Sequence, residues 1–319
     1  MPTKTYEPKD LFPDLIGQES VKRQLTFHFK GYMANGIMPH IMFTAPRGCG
    51  KTTFASKLAD VLKWREPNKT KIIFNCSQLR NLRQFWNEII IPMVNDKDVT
   101  VLFDEASELP KDVAMALLTI LNPNPDNKNT FSYEDYTVDF DFTRQTFMFA
   151  TTEGQSIFHA LMDRMERIDL QDYTLPEMGK IVMLGLDGYR MDADALAKVT
   201  TVLRGNARAA QKMAAHIKTY LDGNGKTHFT MACWEELVKE KAINPLGLLS
   251  KELEILHILS RKQETRLTEL AAITCLSKGA IQKDYEMFLL KQGLIEIQPT
   301  GRCLMPKGQQ YLKDLVGEK

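Results

Sequence analysis

Ala45-Pro-Arg-Gly-Cys-Gly-Lys-Thr-Thr53 is the stretch on which the fold turns. It follows an apolar run, Ile41–Phe43, and precedes helical spacing at Phe54, Leu58, Val61 and Leu62. Strand, glycine-bearing turn and helix is the context of a phosphate-binding loop, because backbone N–H groups and a helix N-terminus then converge on phosphate oxygens. Gly48 and Gly50 let the backbone curl close to an anion, with Cys49 between them as a small residue. Lys51 is placed for the β- and γ-phosphates, and the hydroxyl of Thr52, followed by Thr53, is a ligand for Mg²⁺. The strict pattern opens with glycine where this chain has Ala45. The stretch predicts a binding site for ATP and Mg²⁺.

Outward from the loop, the pattern is strand alternating with helix. A helix is expected over Glu19–Met33, strands over Lys71–Asn75 and Thr100–Phe103, and helices over Leu79–Met93 and Asp112–Leu121. A hairpin is expected between Phe131 and Phe142, and a further buried strand at Phe147–Ala150. Continuous apolar strands are those buried on both faces, so the pattern predicts an α/β fold with a mainly parallel sheet between helical layers. After Tyr173 the texture changes to short helices, opened by the capping box Thr174-Leu-Pro-Glu177. The tail reads as three helices, Ser250–Ser260, Thr268–Cys275 and Ser277–Lys291. A hairpin follows them from Leu294 to Met305. That order is a winged helix, either for DNA or as an α+β protein-interaction module. Three domains are therefore expected: residues 1–173, an α-helical lid over 174–243, and a winged helix over 244–319.

Composition narrows the field. A chain of 319 residues with 44% hydrophobic and 25% charged content is an ordinary globular protein of more than one core. Its formal net charge of +1 supplies no global field toward nucleic acid, so any DNA contact must be local. Five scattered cysteines without a Cys-x-x-Cys pair argue against a disulfide framework or a zinc site. With no apolar run of membrane-spanning length, a soluble cytoplasmic protein is expected.

Asp104-Glu105 ends the apolar run Thr100–Phe103. At a strand end facing a phosphate-binding loop, Asp104 can hold Mg²⁺ through water while Glu105 activates the attacking water. This pair predicts hydrolysis beyond mere binding. Thr152, at the tip of the next strand, offers a hydroxyl to the γ-phosphate or the lytic water. Arg164 and Arg208 lie where a ring-forming ATPase needs cations, one reaching a neighbour's nucleotide and one supplied by the chain's own lid.

Taken in order, these motifs resemble the RuvB family of AAA+ ATPases, the Holliday-junction branch-migration motors, over nearly the full chain. The resemblance rests on Leu15-Ile-Gly-Gln18, the phosphate loop, Val101–Glu105, Ala150-Thr-Thr152, Leu161-Met-Asp-Arg164, Tyr173, Arg204-Gly-Asn-Ala-Arg208 and Pro299-Thr-Gly-Arg302. It implies that Thr152 is sensor 1, Arg164 the trans-acting finger and Arg208 sensor 2. Leu15, Ile16 and Tyr173 would line the adenine site, and Arg302 would touch the DNA backbone. It further implies a homo-oligomeric ring, expected to be a hexamer, acting on a four-way junction or duplex. The hairpin at 130–141 would be the docking site for a RuvA-like or other protein partner. The chain departs from the family pattern at Glu7, at Ala106-Ser107-Glu108 after the acidic pair, at Met162, at Ile297 and Thr300 in the wing, and in the hairpin. There it carries Glu134, Asp135, Asp139 and Asp141 in place of an apolar tip.

Within the tail, Ser277, Lys278, Gln282 and Lys283 fall near the start of the third helix, where phosphate contacts are expected, with Lys291 and Arg302 flanking them. Asp284 and Glu286 on the same helix oppose them. A clamp-loader or helicase-loader switch is the alternative reading. Against it stand Asp-Arg-Met at the finger and a winged-helix tail where loaders carry a helical collar. A scaffold that binds ATP without hydrolysing it is the third.

Overall fold

The computed structural model describes residues 6–152, 159–262 and 264–317. The chain divides into two compact units, Met1–Phe229 and Thr230–Lys319. The helix Met231–Lys241, which the sequence reading placed at the end of the lid, falls in the second unit.

The first unit is built on five parallel strands. In chain order these are β1 (Ile41–Thr44), β2 (Thr70–Asn75), β3 (Val99–Asp104), β6 (Gln145–Thr151) and β7 (Glu166–Asp169). Their spatial order is β2-β3-β6-β1-β7. Between β3 and β6 the chain makes an antiparallel hairpin, β4 (Lys128–Tyr133) and β5 (Tyr136–Asp141). Every residue of β1 and β6 is buried, as expected for strands covered on both faces.

The period-2 alternation of the strands sorts their side chains into two cores. Val99, Val101, Phe103, Phe147 and Phe149 enter one, with Trp86, Val138 and Phe140. Ile41, Phe43, Leu102, Met148 and Ala150 enter the other, with Leu25 and Phe29 of the helix Glu19–Asn35 and Leu58 of the helix Lys51–Leu62. The sheet is thus packed by helices on both sides, as the pattern predicted. All five strands point the same way, so their C-terminal ends, and the loops after them, gather along one edge of the layer.

Several local features exceed the sequence reading. The helical stretch after β2 is a short turn, Leu82–Gln84, followed by a wide π-type turn over Phe85–Val94 that absorbs Pro92. The N-terminal arm contains one helical turn, Pro8–Leu11. The strand β7 and a two-residue parallel pair, Arg190–Met191 with His228–Phe229, were not expected. Three helices, here termed the lid helices, follow β7 in the span expected to form a lid: Leu175–Gly185, Ala193–Thr201 and Ala207–Gly223. The first opens with the expected box, in which Thr174 N donates to Glu177 Oε2 at 2.8 Å. A Cβ on Gly185 would sit 2.7 Å from that of Ala214, so the first and third lid helices can approach only with glycine there.

The second unit contains the helices Ser250–Arg261 and Leu267–Thr274 and a third helical stretch. That stretch runs through Lys278–Ala280, a π-type turn Ile281–Glu286, and Met287–Lys291. Antiparallel strands Ile295–Ile297 and Arg302–Leu304 form the wing. A closing helix, Pro306–Gly317, was not anticipated. Leu256, Leu270, Ile281, Leu289, Ile295 and Leu312 make this unit's own core.

Candidate nucleotide site

The loop between β1 and the helix Lys51–Leu62 turns through two left-handed glycines, Gly48 at φ 81° and Gly50 at φ 94°. Any side chain is strained at such a φ. At Gly48 there is no room either, because a Cβ would lie 2.1 Å from Asn206 Oδ1. Asn206 caps the lid helix Ala207–Gly223, accepting from Ala209 N at 3.1 Å, and its Nδ2 donates to the Arg47 carbonyl at 2.8 Å. The Arg208 N–H donates to the Gly48 carbonyl at 3.3 Å. The phosphate loop and the third lid helix are therefore joined main chain to cap.

Lys51 is buried and donates to the carbonyls of Ala45 at 2.8 Å and Pro46 at 3.0 Å. Burial pulls its ammonium below the usual lysine range, with Arg208 and Arg47 acting in the same direction and Asp104 against it. The Thr52 hydroxyl donates to Asp104 Oδ2 at 2.9 Å, which brings the two expected Mg²⁺ ligands together. The other Asp104 oxygen accepts the Glu105 N–H at 3.0 Å. Glu105 itself sits in the left-handed region, φ 54° and ψ 46°, a conformation that costs an L-residue about 1–2 kcal/mol. Backbone strain of this kind is kept where a side chain must be aimed.

These groups line one cavity of about 360 Å³. Gly48, Gly50, Lys51, Thr52, Thr53, Asp104, Glu105, Thr152 and Arg208 all contribute to its wall. The donor set suits a triphosphate with a hard divalent cation: cationic Lys51 and Arg208, amides at a helix start, and hydroxyl and carboxylate oxygens for the metal. Arg47, Thr151, Ala207 and Gln211 also line it and were not singled out from sequence. Gln211 was within reach of pattern reasoning, since it follows Arg208 by three residues on one helix face.

Other expected residues lie around the cavity. Leu15 and Ile16 are half-buried, and Leu15 shares an adjoining depression with Thr52, Thr53, Ser56 and Ile73. Tyr173 is buried and its N–H donates to Gly205 O at 3.1 Å. Burial pushes its hydroxyl up to about 12, against a hydrogen bond from the Gln18 side chain. Gln18 also grips Gln171, its Oε1 accepting from the Gln171 N–H at 3.0 Å and its amide donating to the Gln171 carbonyl. The arm that carries Leu15 and Ile16 is thereby tied to the segment that carries Tyr173. Cys49 is buried with its sulfur 3.8 Å from Asp172 Oδ1. Arg164 is not part of the cavity wall; its guanidinium donates to the Ala160 carbonyl and to Asn122 Oδ1 at 3.1 Å.

In the second unit, Lys278 and Lys283 are exposed on the third helix. Arg302 is placed differently from the expectation that it reaches out to DNA. Its Nε donates to Glu286 Oε1 at 2.7 Å and its Nη2 to Oε2 at 3.1 Å. An arginine held bidentately by a buried carboxylate is drawn inward from the wing surface.

Fold and site together define an AAA ATPase with a winged helix. Residues 41–173 match the model of the ATPase family associated with various cellular activities, and residues 245–313 match the RuvB C-terminal winged helix domain. Within that class the chain is RuvB-like. It is 26% identical over 313 residues to the Holliday junction branch migration complex subunit RuvB of Campylobacter concisus, covering 93% of this chain and 88% of that protein. The subunit of the same name in Mycoplasma genitalium is 24% identical over 316 residues, covering 96% and 97%. In fold the chain is similar to the Thermotoga maritima RuvB Holliday junction branch migration motor, with a TM-score of 0.77 at 21% identity, covering 93% of this chain and 95% of that one. No helix among the described residues is long and apolar enough to cross a membrane.

Proposed function

We propose that the chain is an ATP-driven DNA motor that migrates branched junctions, with hydrolysis completed at the interfaces of a homo-oligomeric ring. The observation that carries this reading is the split of the catalytic set. Lys51, Thr52, Asp104, Glu105, Thr152 and Arg208 share one cavity, while Arg164 stays outside it. ATP bound there would present its γ-phosphoryl group, and Thr52 and Asp104 are the residues that would hold Mg²⁺, which would neutralise charge on the phosphates. Lys51 and the loop amides offset charge on the phosphates, Glu105 orients a water and accepts its proton, and Thr152 holds that water in line. Arg208 responds to nucleotide through the lid, whose cap already touches Arg47 and Gly48. Arg164 acts on the site of the adjacent subunit.

The partner at the hairpin is proposed to be basic, since Glu134, Asp135 and Asp139 are exposed there while Phe131 and Tyr133 are turned onto Trp86. Strand displacement on a synthetic four-way junction with ATP tests the motor. Movement that continues through many base pairs is the expected result. A single ATP-gated event followed by release would replace the motor with a loader-type switch.

A further inference from the structure

Three pieces of chain meet at Arg302. Its side chain holds Glu286 of the third helix through two charge-assisted hydrogen bonds, with the arginine 11% and the glutamate 1% exposed. Its main chain pairs with Thr265 in both directions, Arg302 N to Thr265 O at 2.9 Å and Thr265 N to Arg302 O at 3.0 Å. The residue before it is glycine for a steric reason: a Cβ on Gly301 would lie 2.8 Å from the Thr265 carbonyl oxygen. The wing, the bridge before the second helix and the third helix are thus fastened at one point.

We propose that Arg302 is a positioning residue, which fixes the wing against the third helix through Glu286 and makes no phosphate contact when DNA is bound. This rests on the reading that the winged helix grips DNA. Swinging the guanidinium out to a phosphate would break both bonds and leave the Glu286 carboxylate buried and unpaired, a costly state. An exposed phosphate contact, screened by salt, does not compensate for that loss. The phosphate contacts fall instead to cations exposed on the third helix, Lys278 and Lys283 among them.

The test is the salt dependence of DNA affinity, measured with the full chain and a labelled duplex. Each phosphate contact contributes about 0.9 to the slope of log K against log salt. Replacing the pair by E286L/R302L removes both charges while keeping apolar volume, and is expected to hold affinity within about threefold at an unchanged slope. R302Q is expected to lower the melting temperature and weaken binding, again with no change of slope. A folded Arg302 variant whose slope falls by about 0.9 would overturn the proposal. The conservative E286Q keeps the arginine and removes the carboxylate charge that holds it; a slope steeper by about 0.9 marks a guanidinium that Glu286 had kept from phosphate, which supports the proposal. Failure of the unaltered chain to bind DNA at low salt counts against the parent reading, whereas a shallower slope confined to the Arg302 variants counts against this one.

Discussion

Glu105 and His40 are two residues whose settings reach beyond their own side chains. Glu105 combines a left-handed backbone with a carboxylate on the cavity wall, while its N–H is held by Asp104. Glu105→Gln preserves shape and removes the proton acceptor. Turnover is expected to fall by about 10²–10⁴ while ATP affinity is retained, as read by phosphate release beside nucleotide binding. His40 sits just before β1, its ring against Phe142 at 4.7 Å and Phe147 at 5.6 Å. Burial drives its pKa from 6.5 down to about 4. The unfolded chain therefore binds a proton that the folded chain refuses, so stability is full above pH 6.5 and is lost as pH falls toward 4. The loss is expected to reach about 3 kcal/mol at most. Chemical denaturation at stepped pH, compared with His40→Asn, isolates this contribution; identical slopes in parent and variant would contradict it.

At the scale of elements, one indole anchors the aromatic face of the hairpin. Trp86 is fully buried on the helical turn after β2 and stacks on Phe131 at 5.5 Å and Tyr133 at 5.8 Å. Trp86→Ala is expected to cost about 3–5 kcal/mol and to loosen the hairpin, seen as a lower melting temperature and faster amide exchange over 128–141. The strands were legible in the sequence because burial on both faces leaves continuous apolar runs, as at Val99–Asp104. The start of the helix Leu175–Gly185 was legible from its capping box, Thr174 with Glu177. β7 was not, because Glu166-Arg-Ile-Asp169 buries only Ile168 and so lacks an apolar run. The phosphate loop, Asp104, Glu105 and Arg208 could be read because their chemistry is local to short motifs. Asn206 against Arg47, or Glu286 against Arg302, could not, since a partner 159 or 16 residues away is chosen by packing and leaves no spacing signal.

At the scale of the whole molecule, the proposed motor requires that one chain hold an incomplete catalytic set. Arg164 lies outside its own cavity, so it is expected to serve a neighbour and to be worth about 10³–10⁵ in turnover. Arg164→Ala should thus abolish hydrolysis while leaving ATP affinity intact. Glu105→Gln should be inactive for a different reason, since its own cavity fails while its arginine remains available. The most direct measurement is ATP hydrolysis by a mixture of these two variants. Equal mixing is expected to restore roughly a quarter of the parent turnover if sites act independently, because an intact cavity then meets an intact finger at some interfaces. A mixture as inactive as its components, or Arg164→Ala protein that turns over ATP at the parent rate, would contradict catalysis shared between subunits.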